Sequence, residues 1–313
     1  MALFEVPTSS IPKSLLRDDF IVPPFSILDA KSQYWMDRKH EWERILEDRS
    51  DNIRNVTSKG NTPYCNAFDN GKYPGLERNG KISTFDPFLT EILVKWFSKP
   101  KWTIYDPFAG GIVRGAVSGI CGRNYYGTDI SPEQVKHNTE HWNNFLDKHK
   151  DKGLGKVHWE LCDAEKFKFK TKFRMMMTCP PYYDLEKYTD DPDDLSNQSD
   201  YKTFIGKYRN IIRGSYNLLE DDSFAVITVA EIRDKNGSMY GFVPDTIKAF
   251  TDAGFIYYNE MILENRVVSL GVRSPKYFNQ SRKVGRHHQN VLVFFKGNPD
   301  NIEAKFGKFI EVL

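Results

Sequence analysis

The sequence predicts an α/β fold, a doubly wound sheet with helices on both faces, and three observations predict it. From about Trp102 onward, short β-rich runs alternate with helical patterns. The run "IYDPFAGGIVRG" (104–115) reads as a strand that enters a glycine-rich turn and then a helix. Three acids, Asp106, Asp129 and Asp163, stand at the ends of successive strand candidates, the edge at which such sheets bind ligands. With 313 residues and 40% hydrophobic content the chain can bury the core of one large domain or two modest ones.

The strand candidates, in order, are "WTIYDPF", "NYYGTDI", "KVHWELCDA", "FRMMMTC", "SFAVITVAEI", "FIYYNEMILEN" and "NVLVFFKG". Helical patterns separate most of them: "GGIVRGAVSGICG", "SPEQVKHNTEHWNNFLDKHK", "DYKTFIGKYRNIIRGSYNLLE" and "VPDTIKAFTDAG". Ser131 ahead of Pro132, with Glu133 close behind, reads as an N-cap with proline at the first helical position. The last two strand candidates follow the last helix directly, so a hairpin-like pair is expected at the C-terminal end. Ahead of Trp102, "KSQYWMDRKHEWERILED" reads as a charged amphipathic helix, and residues 58–81 as a Gly-, Asn- and Pro-rich loop region. Residues 1–82 are therefore expected as an N-terminal extension and 83–313 as the α/β domain.

The net charge of +2 names no partner. Its distribution is more informative. The segment 266–290 carries Arg266, Arg273, Lys276, Arg282, Lys283 and Arg286 and no acid, interleaved with Tyr277, Phe278, His287 and His288. It is expected as a basic loop between the last two strands. The four cysteines form no C-x-x-C pair, which argues against a zinc site or a disulfide framework. No apolar run approaches about 18 residues, and "MALFEVPTSS" has no basic stretch followed by an apolar one, so a cytoplasmic protein is expected.

The glycine turn narrows the ligand. A phosphate loop needs Lys and then Ser or Thr after its second glycine, whereas Ala116 and Val117 follow Gly115; "GGIVRG" does not fit the dinucleotide fingerprint either. What remains is a nucleoside without a pyrophosphate to cradle. Asp129 lies about 20 positions beyond Gly110, the spacing at which an acid bonds ribose hydroxyls in doubly wound folds.

A second unusual stretch is "TCPPYYDLE" (178–186), directly after the apolar run "RMMM". Two prolines cannot continue a central ladder, so the chain leaves the sheet there in a fixed direction and sets Cys179 and Tyr182 on a stiff rim. The acids that follow repel phosphates and are expected in a solvated loop, with Asp184 near enough to be a polar partner of the motif.

"DPFAGG", the acid-ended strand after it, and "CPPY" at the fourth strand resemble the motifs of the S-adenosylmethionine-dependent DNA methyltransferases that modify adenine N6 or cytosine N4. "VPPFSILDAKSQYWMDRKHEW", "DISPEQVKHN", "PPYYDLEKYTDDPDDLSN" and "HHQNVLVFFKG" extend the similarity to phage- and prophage-borne DNA modification methylases. The resemblance implies a Rossmann-like methyltransferase sheet and S-adenosyl-L-methionine as cofactor. It implies that Asp106, Phe108 and Gly110 hold the methionine part, with Asp129 on the ribose and Asp163 near the adenine. Phe85 and Pro87, in "STFDPFLTEILVKWF", would touch the cofactor. Cys179, Pro180, Pro181 and Tyr182 would form the catalytic motif.

An exocyclic base amine is a poor nucleophile, because its lone pair is conjugated into the ring. Acceptors that hold its two protons pyramidalise and aim it, then accommodate the developing charge. In the family these are the side chain before the prolines and the carbonyl of the first proline, here Pro180. The target base must be flipped out of duplex DNA, and Tyr182 can stack on it. Arg273, Lys276, Arg282, Lys283 and Arg286 would contact the DNA. Cys179 departs from the family's usual Asp, Asn or Ser, and a thiol is a weak acceptor. It stands as a serine-like placeholder, as the nucleophile of a pyrimidine C5 methylation, or as the mark of a weakened site in a DNA-binding protein. RNA or a protein amide is the alternative substrate.

Overall fold

The computed structural model describes residues 15–46, 84–149, 153–183, 189, 191–234, 236–267 and 270–309. The expected loop region 58–81 and Asp184 lie outside them. The strands are β1 (Ile27–Asp29), β2 (Thr103–Asp106), β3 (Asn124–Asp129), β4 (Val157–Leu161), β5 (Phe173–Thr178), β6 (Leu219–Val229), β7 (Ile256–Glu264) and β8 (His288–Lys296). They form one sheet in the order β1-β7-β8-β6-β5-β2-β3-β4. β8 runs antiparallel to both β6 and β7, and the other neighbours are parallel. The doubly wound α/β fold and its closing antiparallel pair are as expected.

The strands' period of two divides the core. Ile104, Met175, Met177, Val226 and Val293 face α3 (Pro87–Phe97), α4 (Val113–Ile120) and α5 (Pro132–Lys148). Tyr105, Met176, Ala225, Ile227 and Phe294 face α6 (Tyr201–Leu218) and α7 (Phe242–Ala253). Covered on both faces, central strands read as apolar runs rather than alternating ones, which accounts for "MMM". Local chemistry sets the ends. Ser131 caps α5 by accepting from the Gln134 N–H, with Pro132 at the first position. α4 lies close on the sheet because Gly115 and Gly119 carry no side chain there: a Cβ at Gly115 would overlap the Trp159 ring, and one at Gly119 would strike Val157 and Trp142. No helix among the described residues is long and apolar enough to cross a membrane.

Two segments differ from expectation. Of the stretch read as an N-terminal extension, residues 15–46 belong to the same sheet and core. They comprise α1 (Leu15–Phe20), β1 on the edge of β7, and α2 (Gln33–Ile45), with Trp35 and Trp42 buried against α3. The basic segment is not a simple loop: it contains α8 (Leu270–Ser281), none of whose residues is buried. Gly271 and Pro275 are loop signals. Here Pro275 sits inside the helix and forgoes the bond its N–H would give to the Gly271 carbonyl. Arg282, with φ of 56°, ends the helix in the left-handed region.

A buried ion pair joins α2 to α3. Glu91 is 1% exposed and accepts from Arg38 Nε and Nη2 (2.8 and 2.6 Å) and Trp42 Nε1 (2.6 Å), with Lys95 Nζ at 3.0 Å. Burial alone would push its carboxyl up, but the Arg38 and Lys95 charges and these hydrogen bonds hold it at about 2. Breaking such a pair leaves an uncompensated buried charge. Glu91→Gln is expected to cost about 3 kcal/mol in urea unfolding at neutral pH. Because the folded value lies below the ordinary 4.5, the stabilisation is present above pH 4.5 and is lost as pH falls toward 2. Acid titration should show that slope in the wild type and not in the variant.

Candidate active site

The sheet winds outward from β2 to β3 and β4, then returns to place β5 on the other side of β2. The carboxyl ends of β2 and β5 thus form the switch point at which open α/β sheets bind ligands. A cavity of about 310 Å³ opens there, lined by the glycine turn after β2 and the Cys-Pro-Pro-Tyr run after β5.

Asp106 ends β2 fully buried and carries four hydrogen bonds. Its Oδ1 accepts from the Phe108 N–H (3.1 Å) and Thr178 Oγ1 (2.5 Å), and its Oδ2 from Arg114 Nε (2.6 Å) and the Tyr125 hydroxyl (2.8 Å). One carboxylate therefore ties together β2, β3, the end of β5 and α4. Arg114 spends its Nη2 on the turn, donating to the Phe108 and Ala109 carbonyls (2.6 and 3.1 Å), and lies over the Phe85 ring at 4.8 Å. Burial opposes the Arg114 charge, but the Asp106 carboxylate holds its pKa above the ordinary value. The same burial and the same carboxylate raise the Tyr125 phenol well above its usual range.

Gly110 turns the chain with φ of +53°, in the left-handed region. Its N–H donates to Asp129 Oδ2 (2.8 Å), and Asn138 Nδ2 donates to its carbonyl (2.8 Å). Asp129 Oδ1 accepts from the Ser131 N–H (2.9 Å). Asp129 thus fastens the glycine turn to the end of β3 while lining the cavity. Asp163 lies two residues beyond the end of β4, rather than closing it, and also lines the cavity. Lys166 bridges Asp163 (3.3 Å) and Asp193 (2.5 Å).

The chain leaves β5 through half-buried Cys179, buried Pro180 and half-buried Pro181, all on the cavity wall. Tyr182 continues the wall, edge-on to Phe242 with centroids 6.0 Å apart. Tyr183 instead turns into the core against Phe204 and Tyr240. The acids beyond are not simply a solvated loop. Asp193 lines the cavity, and Asp194 is 4% exposed, accepting from the N–H and hydroxyl of both Thr189 and Ser196. The loop's own N–H and hydroxyl groups satisfy Asp194, and Lys166 and Lys207 pair with Asp193.

Of the expected catalytic and cofactor-binding residues, Phe85, Phe108, Gly110, Asp129, Asp163, Cys179, Pro180, Pro181 and Tyr182 meet in this one cavity. Two do not. Asp106 is saturated behind the turn, and Pro87 is buried at the first position of α3, whose cap Asp86 reaches the cavity in its place. Arg273 and Lys276 lie on α8, and Arg282, Lys283 and Arg286 follow it, all outside the cavity lining. Sequence reading missed Arg114, for which the signal was an arginine inside an otherwise small and apolar helix. It also missed Lys39, Asp193, Asn265 and Gln289 on the wall.

No family model matches this chain, and no curated protein matches it. Among solved structures it is similar to TrmN from Thermus thermophilus, at 13% identity over 68% of this chain and 50% of that one, with a TM-score of 0.44. It is also similar to magnesium protoporphyrin IX methyltransferase from Synechocystis, solved with S-adenosylmethionine bound (12%, 67% and 79%, TM-score 0.43). A third is a candidate DNA modification methylase from Thermus thermophilus (16%, 43% and 49%, TM-score 0.32). The chain spans half the length of TrmN.

Asp106→Asn keeps the shape of the hub but leaves the Arg114 charge buried without its partner, and is expected to cost about 3 kcal/mol in urea unfolding. Adding Arg114→Met should recover part of that loss, since removing both charges is better tolerated than removing one. Wild-type stability in the single variant would contradict the hub.

Proposed function

We propose that this cavity binds S-adenosyl-L-methionine and that the protein transfers its methyl group to the exocyclic amine of a nucleic-acid base, with adenine N6 ahead of cytosine N4 and DNA as the partner. The observation that carries the reading is the meeting of the glycine turn and the Cys179–Tyr182 run in one cavity at the switch point. The wall fits the cofactor's chemistry. It has aromatic Phe85 and Phe108, acids Asp129 and Asp163, and a backbone turn at Gly110 whose left-handed φ favours glycine. A sulfonium nucleoside, which has no phosphate, suits such an acid-lined pocket better than a nucleotide does.

When bound, the cofactor supplies an electrophilic methyl group. The chain's part is to hold and aim the acceptor. Asp129 and Asp163 stand where ribose hydroxyls and an adenine amine can donate. Pro180, held by ring geometry at the end of a central strand, presents a carbonyl that can accept an amine proton and stabilise the charge gathering on nitrogen. Tyr182 offers a flat face to a flipped base. Cys179 occupies the position of the second acceptor as a small, weakly polar placeholder.

Contact with DNA falls to Arg273, Lys276, Arg282, Lys283 and Arg286. The exposed helix α8 supports this, as does the place of Arg286. Burial lowers the Arg286 pKa, Glu231 opposes that and neighbouring Arg233 adds to it, and Tyr182 lies within its field. A half-buried cation beside the motif is suited to a phosphate next to the flipped nucleotide.

The roles separate in two variants. Asp129→Ala should weaken S-adenosylmethionine binding about tenfold in calorimetry, as loss of a charged hydrogen-bond acceptor does. Tyr182→Ala should leave that affinity intact and lower methyl transfer. Equal loss of cofactor affinity in both would contradict the division.

A further inference from the structure

Three neighbouring side chains on the far wall of the cavity have no part in the account so far. Leu263, near the end of β7, pairs in register with Gln289 of β8, and Asn265 continues the ladder by donating its N–H to the His287 carbonyl at 2.7 Å. The period of two sets Leu263 and Asn265 on one face. Gln289 shares its face with Val291 and Val293, which pack in the same core cluster as Leu263. The three converge and all line the cavity. Neither carboxamide makes a side-chain hydrogen bond to another described residue, and both are half-buried rather than out in solvent.

The strand order says which end of the cavity this is. From one edge to the other the strands run β4, β3, β2, β5, β6, β8, β7, β1. Asp163 follows β4, Asp129 ends β3, and Cys179 follows β5. Gln289, on β8, and Asn265, directly after the end of β7, lie beyond Cys179. With the nucleoside half of the cofactor at Asp129 and Asp163, the β8–β7 side is left for the methyl acceptor.

We infer that Asn265 and Gln289 form the base-reading wall of the acceptor pocket, a specificity element for the nucleic-acid methylation proposed above, on which this inference rests. Each carboxamide offers a planar donor and acceptor side by side. An amine-bearing base edge, with the exocyclic N–H₂ next to a ring nitrogen, is its complement. Leu263 supplies the apolar surface on which a ring can rest, the usual composition of a ligand pocket. The carboxamide oxygens also bring to the acceptor side the strong acceptor that the Cys179 thiol is not. Because Gln289 stands on β8 and the Asn265 backbone is tied to the His287 carbonyl directly after β7, their position is set before the base arrives.

The test is saturation-transfer NMR on the full-length protein saturated with S-adenosylhomocysteine, with 2′-deoxyadenosine as probe and thymidine as control. The wild type is expected to transfer saturation to the adenine ring protons more strongly than to thymine. Asn265→Ala and Gln289→Ala should each weaken deoxyadenosine binding about tenfold, and the double variant should abolish the transfer. S-adenosylhomocysteine affinity, measured by calorimetry on the same samples, should be unchanged, which also shows that the variants are folded. Undiminished transfer in the double variant would overturn the inference, as would a wild type that binds S-adenosylhomocysteine and transfers to no nucleoside. Failure of the wild type to bind S-adenosylhomocysteine would strike the cofactor reading itself, and the inference would fall with it.

Discussion

The Asp106 carboxylate is the point on which the site depends. A charge with no exposure at the end of a central strand is costly unless every lone pair is used. Here Arg114, Tyr125, Thr178 and the Phe108 N–H use them. The consequence is geometric. Arg114 cannot satisfy Asp106 without also holding the carbonyls of Phe108 and Ala109, so the glycine turn takes its shape from a bond made behind it. Thr178 precedes Cys179, so the same carboxylate fixes where the Cys-Pro-Pro-Tyr run leaves the sheet. The two halves of the cavity are registered to each other through one buried group.

Around that hub, the walls come from parts of the chain far apart in sequence. Asp129 closes the turn from β3, Lys166 joins Asp163 to Asp193, and Phe85 reaches in ahead of α3. The N-terminal residues 15–46 support the cavity from behind, and Lys39 reaches its wall. α2 braces α3 through the Arg38–Glu91 pair, and its Lys39 and Trp35 hold the Asp86 cap from which the cavity wall begins. A segment resembling an appendage in sequence is a support for the site.

Features set by neighbours in the chain were legible in the sequence. The Ser131 cap, the strand-to-glycine-turn run and the prolines that end β5 are all local patterns. Features set by distant pairing were not. β1 is three residues long, too short for a readable alternation, and exists because β7 has an open edge. α8 contains Gly271 and Pro275, which argue against a helix by propensity alone. An acid at a strand end looks the same whether it faces a ligand or a buried arginine, which is why Asp106 reads as a contact and proves to be a hub. Asn265 carries no motif, and Gln289 is one residue of the closing "HHQNVLVFFKG" stretch with no role legible there; the β7–β8 register brings them to the cavity.

The central claim is methyl transfer to an exocyclic base amine. The direct measurement is incubation of the purified protein with unmodified bacterial DNA and S-adenosylmethionine, then nuclease digestion and mass spectrometry of the nucleosides. The account predicts N6-methyladenine, with N4-methylcytosine as the next product. Digests with no methylated nucleoside, from protein that demonstrably binds the cofactor, would contradict it; 5-methylcytosine would contradict it differently, by making Cys179 a nucleophile rather than a placeholder.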